Sequence, residues 1–482
     1  MNVSMSSILR GGRLRATRRD VVEFISSVQD DKRIAHATVI VNEAHVLALA
    51  KAKAISRKDA HCLLRALRRL ERRLPLRKGA EDIHVLIEEY VTKQVGREVG
   101  GQLHLGKSRN DQVVTAIRMV LREEILQVSD ELLHLERQLL SLARRHVRSV
   151  FPGYTHIQPA QPISFAHYLI AICDAFLRDN ERLLETYRRV NRSPMGAGAL
   201  AGSSFNINRQ LEAKLLGFDG LVENTLDAVG SRDFALEALS VLSITALDVS
   251  RLAQDLIFYS SEDVGLLIIP DEFTSTSSMM PQKKNPDPLE LMRAKCARIA
   301  VNYAAGVTIA HSLPSGYNLD FQEITPLLWD SLDTLKPSLK LLAGLVPGVK
   351  PDSAIASRGD LQYTTATEIA NILVRKEDIP FRTAHRAVGY AIRNAMKSGK
   401  TLTDLTSGEW ELVIGRRLRR NTIVSIINTL DLATHIGYYR TKGSPNPRQV
   451  TAMIQSRTER IQSMLKGTER ARATLKQTLT YS

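Results

Sequence analysis

The chain has 482 residues, of which 44% are hydrophobic, 5% aromatic and 24% charged, and its formal net charge is +15. This length allows two to four domains or one elongated subunit, and the scarcity of aromatic residues beside many Leu, Ala and Arg residues favours helices. No uninterrupted apolar run of about 18 residues occurs, so we expect neither a membrane-spanning helix nor a membrane partner.

The positive charge makes nucleic acid a candidate partner. The basic residues are spread along the chain, with one dense cluster at Arg65, Arg68, Arg69, Arg72, Arg73, Arg77 and Lys78. The first four have helical three- and four-residue spacings, which favours a solvated helix face over a polyanion site. Because no recognition module and no interleaved aromatic residues accompany the cluster, we predict no nucleic-acid partner.

The three cysteines, Cys62, Cys173 and Cys296, are far apart and form no CxxC pair. Such spacing indicates reduced thiols and predicts a cytoplasmic protein.

Helical patterns begin near the N-terminus. The range 35–74 predicts two helices separated at 55–59, with Ser56 as the N-cap of the second helix. From Gln112 onward, apolar residues recur every seven positions, which predicts a helix of about 35 residues and about 50 Å. The residues of this seam are Val114, Leu121, Val128, Leu135 and Leu142.

Further apolar-periodic segments predict four more long helices, at 165–190, 231–259, 288–310 and 325–345. Five long helices in the middle of the chain predict a helical bundle and an all-α fold, with no strand-like alternation in this region. The segment beyond Arg358 is helical again.

Unusual polar residues are concentrated in the joints between the helices, where loops on a rigid scaffold often carry chemistry. The first such motif is Gly106–Asp111, at the start of the long helix. Free N–H groups at a helix N-terminus suit a carboxylate, and Arg109 and Asn110 add donors. A simple cap by Ser108 or Asn110 is the alternative interpretation.

The second motif is Gly153–Pro162, in which prolines fix the backbone between two helices. His156 can exchange a proton near neutral pH, and Thr155 can bind a carboxylate oxygen. A hydrogen-bonded surface histidine is the alternative.

The third motif, Ser277–Asp287, combines hydroxyls, two lysines, an amide and two prolines. Removal of a proton from a carbon next to a carboxylate creates a doubly charged intermediate, which preorganised donors stabilise. Lys283 and Asn285 are suitable donors. Ser277 would be the base, with its alkoxide favoured by cations and by the exclusion of water. A flexible basic loop without a site is the alternative.

The fourth motif, Ser315–Glu323, offers Tyr317 and Gln322 to a polar substrate, or is an ordinary turn before a helix. The Gly-rich run Gly196–Gly202 lacks both a following Lys-Ser/Thr and a preceding strand, so close backbone packing is favoured over nucleotide binding.

In their order and residue sequence, these motifs resemble those of the argininosuccinate lyase family of the fumarase/aspartase superfamily. The similar segments are LRGGRL (9–14), EDIH (81–84), LGKSRNDQVVT, FPGYTHIQPAQPISFAH, GAGALAG, SRDF (231–234), SSMMPQKKNPD, YNLDFQE and LVRKEDIPFRTAH. The resemblance extends over nearly the whole chain. GYTHIQPAQP and PQKKNPD together favour this family over lyases that act on adenylosuccinate, fumarate or aspartate.

The resemblance implies reversible elimination of L-argininosuccinate to L-arginine and fumarate, in arginine biosynthesis, without a metal or organic cofactor. It also implies three helical domains, which we place at 1–107, 108–358 and 359–482. Four chains would form a homotetramer with a central twenty-helix bundle, and each active site would combine motifs from three subunits.

The resemblance also assigns roles to residues. Ser277 corresponds to the catalytic base, His156 to an acid or positioning group, and Lys283 with Asn285 to the groups that bind the carboxylate and the intermediate. Arg109, Asn110 and Thr155 correspond to contacts with the fumaryl part. Other substrate-pocket positions are matched by Ser27, Asp82, Arg232, Tyr317 and Gln322.

Two departures from the family pattern concern the site. Thr276 replaces a glycine before the paired serines, so a positive φ there would strain the loop and would leave Ser278 as a competing base. Leu319 stands where many members carry Lys or Arg, which removes one possible substrate contact. An adenylosuccinate lyase-like enzyme and a catalytically silent, crystallin-like homologue are the alternatives.

Overall fold

The computed structural model describes residues 17–71 and 80–477 of the chain. The LRGGRL segment and the basic residues at 72–78 lie outside these ranges. The N-terminal part is helical, as predicted, and Ser56 accepts a hydrogen bond from the Asp59 N–H at the start of its third helix. Its helices are α1 (Arg19–Ile25), α2 (Ala35–Lys51), α3 (Arg57–Glu71), α4 (Ile83–Val95) and α5 (Arg97–Gly100).

The middle of the chain forms the predicted bundle of long helices, connected by shorter ones. They are α6 (Arg109–Arg145), α7 (Phe165–Val190), α8 (Arg209–Leu215), α9 (Thr225–Gly230), α10 (Asp233–Ser260), α11 (Asp287–Ala310) and α12 (Ile324–Leu345). The five predicted long helices are confirmed, with ends within three residues of the predicted ones.

The helix α6 has 37 residues and begins with a capping box. The Ser108 side chain accepts a backbone N–H of the first turn, and the Asp111 carboxylate accepts the Ser108 N–H. All five residues of the predicted apolar seam are buried. The helix therefore starts three residues before the predicted position, because the cap is formed by polar residues that the apolar pattern does not include.

The expectation of no strands in this region is wrong at one joint. The strands β1 (Val150–Thr155) and β2 (Gln158–Ser164) form an antiparallel hairpin between α6 and α7. Its three prolines do not prevent pairing, because Pro152 lies beside an irregularity in the register and the sheet has only two strands. Two further strand pairings are very short: β3 (Leu267–Ile268) pairs with β6 (Lys350–Pro351), and β4 (Ser275–Thr276) pairs with β5 (Lys284–Asn285).

The C-terminal part contains α13 (Ala366–Glu377), α14 (Phe381–Lys397), α15 (Ser407–Ile414), α16 (Arg420–Leu430), α17 (Leu432–His435) and α18 (Pro447–Gln477). The helices from α13 to α16 surround a separate hydrophobic core. In contrast, α18 returns to the main core and forms ion pairs with α7 through Arg457 and Asp174, at 2.8 Å.

No helix in the described part of the chain is long and apolar enough to cross a membrane.

Candidate active site

The predicted site residues fall into two groups at opposite ends of the bundle. Arg109 and Asn110 open α6, whereas His156 lies beyond its other end, after a helix of 37 residues. At 1.5 Å per residue, α6 separates its two ends by about 50 Å. Helix α10 also runs from one group towards the other. Arg232 precedes α10 at the Arg109 end, and Phe258 near its C-terminus contacts the Tyr154 ring of the hairpin.

At the Arg109 end, an ion pair joins the first motif to α4. Arg109 donates to the Asp82 carboxylate at 2.5 Å, and Asp82 also caps α4 by accepting the Val85 N–H at 2.8 Å. Asn110 donates to the carbonyl of Ala199, in the Gly-rich run, at 3.2 Å. One guanidinium nitrogen of Arg109 is therefore held by a protein carboxylate in this structure.

A cavity of about 50 Å³ opens beside this ion pair. Six of the predicted substrate-pocket residues line it: Ser27, Asp82, Arg109, Arg232, Tyr317 and Gln322. Gln322 reaches across to α1 and donates to the Ile25 carbonyl at 3.3 Å. The first and fourth motifs, which are 200 residues apart in the sequence, thus meet in one pocket with the N-terminal segment.

Burial sets the protonation of the acidic and imidazole groups in this pocket. Burial raises the pKa of Asp31 to about 6. Two hydrogen bonds to the Asp31 carboxylate oppose this shift: the Ser27 hydroxyl donates at 2.8 Å, and the Ile83 N–H donates at 3.1 Å. Burial also lowers the pKa of His84 to about 4, so this imidazole is neutral at pH 7. For Asp82, burial opposes ionisation, but the nearby His84 and Arg109 hold the pKa of the carboxyl below its usual value.

Sequence reasoning missed Asp31 and did not single out His84, although both line the cavity. Neither ring nitrogen of His84 has a hydrogen-bond partner among the described residues. The only sequence signals were the position of His84 within EDIH and the spacing of Asp31 four residues after Ser27. Arg232, which the resemblance did identify, is buried over the rings of Tyr317 and Phe321.

At the other end, the second motif forms the tip of the β1–β2 hairpin. His156 and Ile157 occupy the two-residue turn, both with positive φ (56° and 60°), as two-residue hairpin turns require. The side chains of Thr155 and His156 are exposed, and Ile157 is 73% exposed. The tip thus presents a histidine and an apolar residue to the surroundings of the chain.

The third motif lies at the same end, because it connects the end of α10 to the start of α11. The strands β4 and β5 close a small loop in which the Ser277 hydroxyl accepts the N–H groups of Met279 at 3.3 Å and Met280 at 3.2 Å. Two donated hydrogen bonds favour negative charge on this oxygen. Ser278 is exposed and makes no hydrogen bond with the described residues, which favours Ser277 as the base.

The two lysines of this loop differ. Lys284 donates to the Ile269 carbonyl at 2.5 Å and to Asp271 at 2.6 Å, which anchors the loop. Lys283 is exposed and has no ion pair within the described ranges, so its ammonium group is available to a ligand. Asn285 is partly buried on β5.

Thr276 lies on β4, opposite Lys284, in extended backbone. It is not among the residues with positive φ. The strain that a β-branched residue would suffer at a positive φ is therefore absent from this loop.

The fold and the motifs together define the class of the protein. The model of the lyase family matches residues 16–301, and the model described as argininosuccinate lyase C-terminal matches residues 363–431. Among solved structures, EDDS lyase in complex with formate superposes with a TM-score of 0.87 at 26% identity, over 93% of this chain and 90% of that one. Class II fumarase from Schistosoma mansoni shares the fold, with a TM-score of 0.70 at 18% identity over 83% of this chain and 90% of that one. The molecule is thus a lyase of the fumarase/aspartase superfamily.

Curated relatives narrow this class. The argininosuccinate lyase of Methanothrix thermoacetophila is 43% identical over 95% of this chain and 94% of the relative. That of Methanosarcina acetivorans is 39% identical over 98% of this chain and 96% of the relative. The chain belongs to the argininosuccinate lyase family.

Proposed function

We propose that this protein catalyses the reversible elimination of L-argininosuccinate to L-arginine and fumarate, as a step of arginine biosynthesis in the cytoplasm. The observation that carries the proposal is the Ser277 hydroxyl, which accepts two backbone N–H groups in a loop that also offers the unpaired Lys283. A serine in such a position can act as a base, because its alkoxide is stabilised before the substrate arrives.

In this mechanism Ser277 removes the proton from the carbon next to a carboxylate of the substrate. The negative charge moves onto that carboxylate, where Lys283 and Asn285 stabilise it. The C–N bond then breaks, and the leaving nitrogen of arginine receives a proton, with His156 as the acid or as the group that positions the substrate. Arg109, Asn110 and Thr155 hold the fumaryl part, while Ser27, Tyr317 and Gln322 line the remainder of the pocket.

These residues can act together only if several chains contribute to one site. Within one chain, α6 separates Arg109 from His156 by about 50 Å, whereas reacting groups must lie within a few ångströms of the substrate. We therefore propose a homotetramer in which the five long helices of each chain form a core of twenty.

Exposed apolar residues on the central helices support this assembly. On α11, Leu291 and Val301 are 57% and 64% exposed, and on α10, Leu247 is 60% exposed. Large apolar side chains that are more than half exposed on long helices of a bundle are candidates for contacts with another chain.

The test is turnover of argininosuccinate, followed by the ultraviolet absorbance of fumarate, with adenylosuccinate as the comparison substrate. Ser277→Ala is expected to reduce kcat by at least about 10³-fold while the assembled protein stays folded, because no other group takes the proton. Ser278→Ala is the matched control and is expected to retain activity within about tenfold, since Ser278 receives no backbone hydrogen bond. A wild-type protein that releases no fumarate from argininosuccinate would refute the proposed function.

A further inference from the structure

Behind Arg109 and Asn110 lies a buried polar cluster that the mechanism above does not use. It consists of His45 on α2, Glu212 on α8, and Lys107 and Asp111 on either side of the two site residues. All four side chains are buried, and those of His45 and Glu212 are completely so. Buried charged groups are costly unless they are paired, so their presence requires a reason.

The cluster fixes the turn that carries Arg109 and Asn110. Asp111 accepts the Ser108 N–H at 3.0 Å and the Gly198 N–H at 2.8 Å, which joins the turn to the Gly-rich run. On the other side of the turn, the Lys107 ammonium group donates to the Asn42 side chain on α2. The turn is therefore attached to two separate elements of the fold.

His45 provides the third attachment. Its Nε2 lies 2.8 Å from the Leu105 carbonyl oxygen, at the entry to the turn, and its Nδ1 lies 2.7 Å from a carboxyl oxygen of Glu212. Both ring nitrogens thus face oxygen acceptors, whereas a neutral imidazole has only one N–H. A neutral imidazole and a carboxylate together carry one proton, which can form only one of the two hydrogen bonds. The His45–Glu212 pair therefore needs a second proton to form both.

Resting on the proposed function, we propose that His45 and Glu212 are positioning residues for the elimination reaction. They orient the Leu105 carbonyl, and through it the turn that presents Arg109 and Asn110 to the fumaryl part of the substrate. Such precision matters, because displacement of a substrate-holding group by about 1 Å can cost about 10²-fold in rate.

The chemistry of the pair suggests a conservative variant. In Glu212→Gln, the amide N–H can donate to His45 Nδ1 while Nε2–H donates to Leu105, so the extra proton is no longer needed. The second carboxyl oxygen of Glu212 has no partner among the described residues, so the amide oxygen can occupy that place without losing a hydrogen bond. In Glu212→Ala, by contrast, Nδ1 of His45 loses its partner and a cavity remains.

The test compares kcat and KM for argininosuccinate in the assembled variants. Glu212→Ala is expected to lower kcat/KM by about 100-fold with a raised KM, while Glu212→Gln stays within about threefold of the wild type. Asn180→Ala is the matched control. It also removes a buried side chain, which accepts a hydrogen bond from Ser129. Ser129 lies on α6, 20 residues after Arg109, so this control site is distant from the turn. A purely structural role would lower the amount of active enzyme and leave KM unchanged, as we expect for the control.

Amide hydrogen exchange provides a second readout that does not depend on activity. The peptides 105–112 and 196–202 are expected to exchange faster in Glu212→Ala than in the wild type, but not in Glu212→Gln or Asn180→Ala. If Glu212→Ala does not assemble, His45→Asn serves instead, because the shorter amide cannot reach Leu105 and Glu212 together.

The outcomes separate the two proposals. An active wild type with an unchanged KM in Glu212→Ala, or in His45→Asn, overturns the positioning role and leaves the proposed function intact. Unchanged exchange of both peptides overturns the positioning role whether or not the protein is active. A wild type that does not turn over argininosuccinate refutes the proposed function alone.

Discussion

At the scale of the residue, the two neighbouring lysines of the Ser277 loop show how context divides similar side chains. Lys284 is held by Asp271 and a backbone carbonyl, whereas Lys283 is exposed and unpaired within the described part of the chain. Because Lys284 is already occupied by protein acceptors, we propose Lys283 as the lysine of this loop that meets charge developing on a substrate.

We therefore expect Lys283→Met to lower kcat by about 10²- to 10³-fold, because the doubly charged intermediate loses its cation. Lys284→Met is the matched control and is expected to lower kcat less than about tenfold, through a looser loop. Steady-state rates of fumarate release measure both effects. Equal losses in the two variants would contradict the assignment.

The histidines of the two ends also differ in a way that the residue type does not reveal. Burial lowers the pKa of His84 to about 4, whereas His156 is exposed at the tip of the hairpin. Near pH 7, His84 can only serve as a neutral group of the pocket, which makes the exposed histidine the better candidate for proton transfer.

At the scale of the element, the helix pair α6 and α7 buries a carboxyl group away from either candidate site. Glu136 on α6 is fully buried, and neither of its oxygens has a hydrogen-bond partner of standard geometry among the described residues. Burial raises the pKa of this carboxyl well above its ordinary value of 4.5, so the folded protein keeps it protonated to a higher pH than the unfolded chain does.

The sign of the effect on stability follows from this difference. The folded state binds the extra proton, so the free energy of unfolding falls as the pH rises above about 4.5, where the unfolded chain ionises. Glu136→Gln removes this loss and is expected to raise the free energy of unfolding by about 1–3 kcal/mol at pH 7, with little change at pH 4. Thermal unfolding of both proteins at the two pH values measures it. An equal change at pH 4 and pH 7 would contradict the titration.

At the scale of the whole molecule, the separation of the two groups of site residues is the decisive feature. One chain holds Arg109, Tyr317 and Gln322 around a cavity at one end, and His156 and the Ser277 loop at the other. A site that needs both groups must take them from different chains, and we therefore propose that activity is a property of the assembly.

Mixed assemblies test this arrangement directly. Arg109→Ala and Ser277→Ala are each expected to be nearly inactive, but tetramers formed from an equal mixture should recover about a quarter of the wild-type activity, because about one site in four receives both intact residues by random assembly. A mixture of Ser277→Ala and Lys283→Met is the control. Both residues belong to one loop, so no site becomes intact and no recovery is expected. Fumarate release after co-refolding of the mixed chains is the measurement, and absence of recovery in the first mixture would contradict sites shared between chains.

We propose that the assembly depends on the exposed apolar faces of the long helices. Val301→Glu introduces a charge on α11 at a position that is 64% exposed in the single chain. If this face binds another chain, the buried charge should cost several kcal/mol and yield smaller species in size-exclusion chromatography with light scattering. Lys340→Glu, at an exposed position of α12, is the control and is expected to leave the assembly unchanged. An unaltered tetramer in Val301→Glu would remove α11 from the interface.

The sequence by itself determined the helices, because the apolar seam from Val114 to Leu142 records which face of a helix is buried, and its period fixes the element. It also determined the family, since the polar motifs in the joints have the residues and the order that are typical of argininosuccinate lyases. The sequence did not predict the β1–β2 hairpin, because prolines hide strand pairing when the pairing is irregular and confined to two strands.

Only the tertiary structure decided which of these motifs lie near one another. Ser27, Arg109 and Gln322 meet in one cavity through packing between distant segments, and neither the contribution of Asp31 nor the buried His45–Glu212 pair is visible in local spacing. The structure also decided which of two adjacent serines has a hydroxyl that accepts backbone N–H groups. The positions of the helices follow from residue periodicity within each segment, which the sequence shows directly. The hydrogen-bond partners and the burial of a site residue depend on distant segments, which come into contact only when the chain folds.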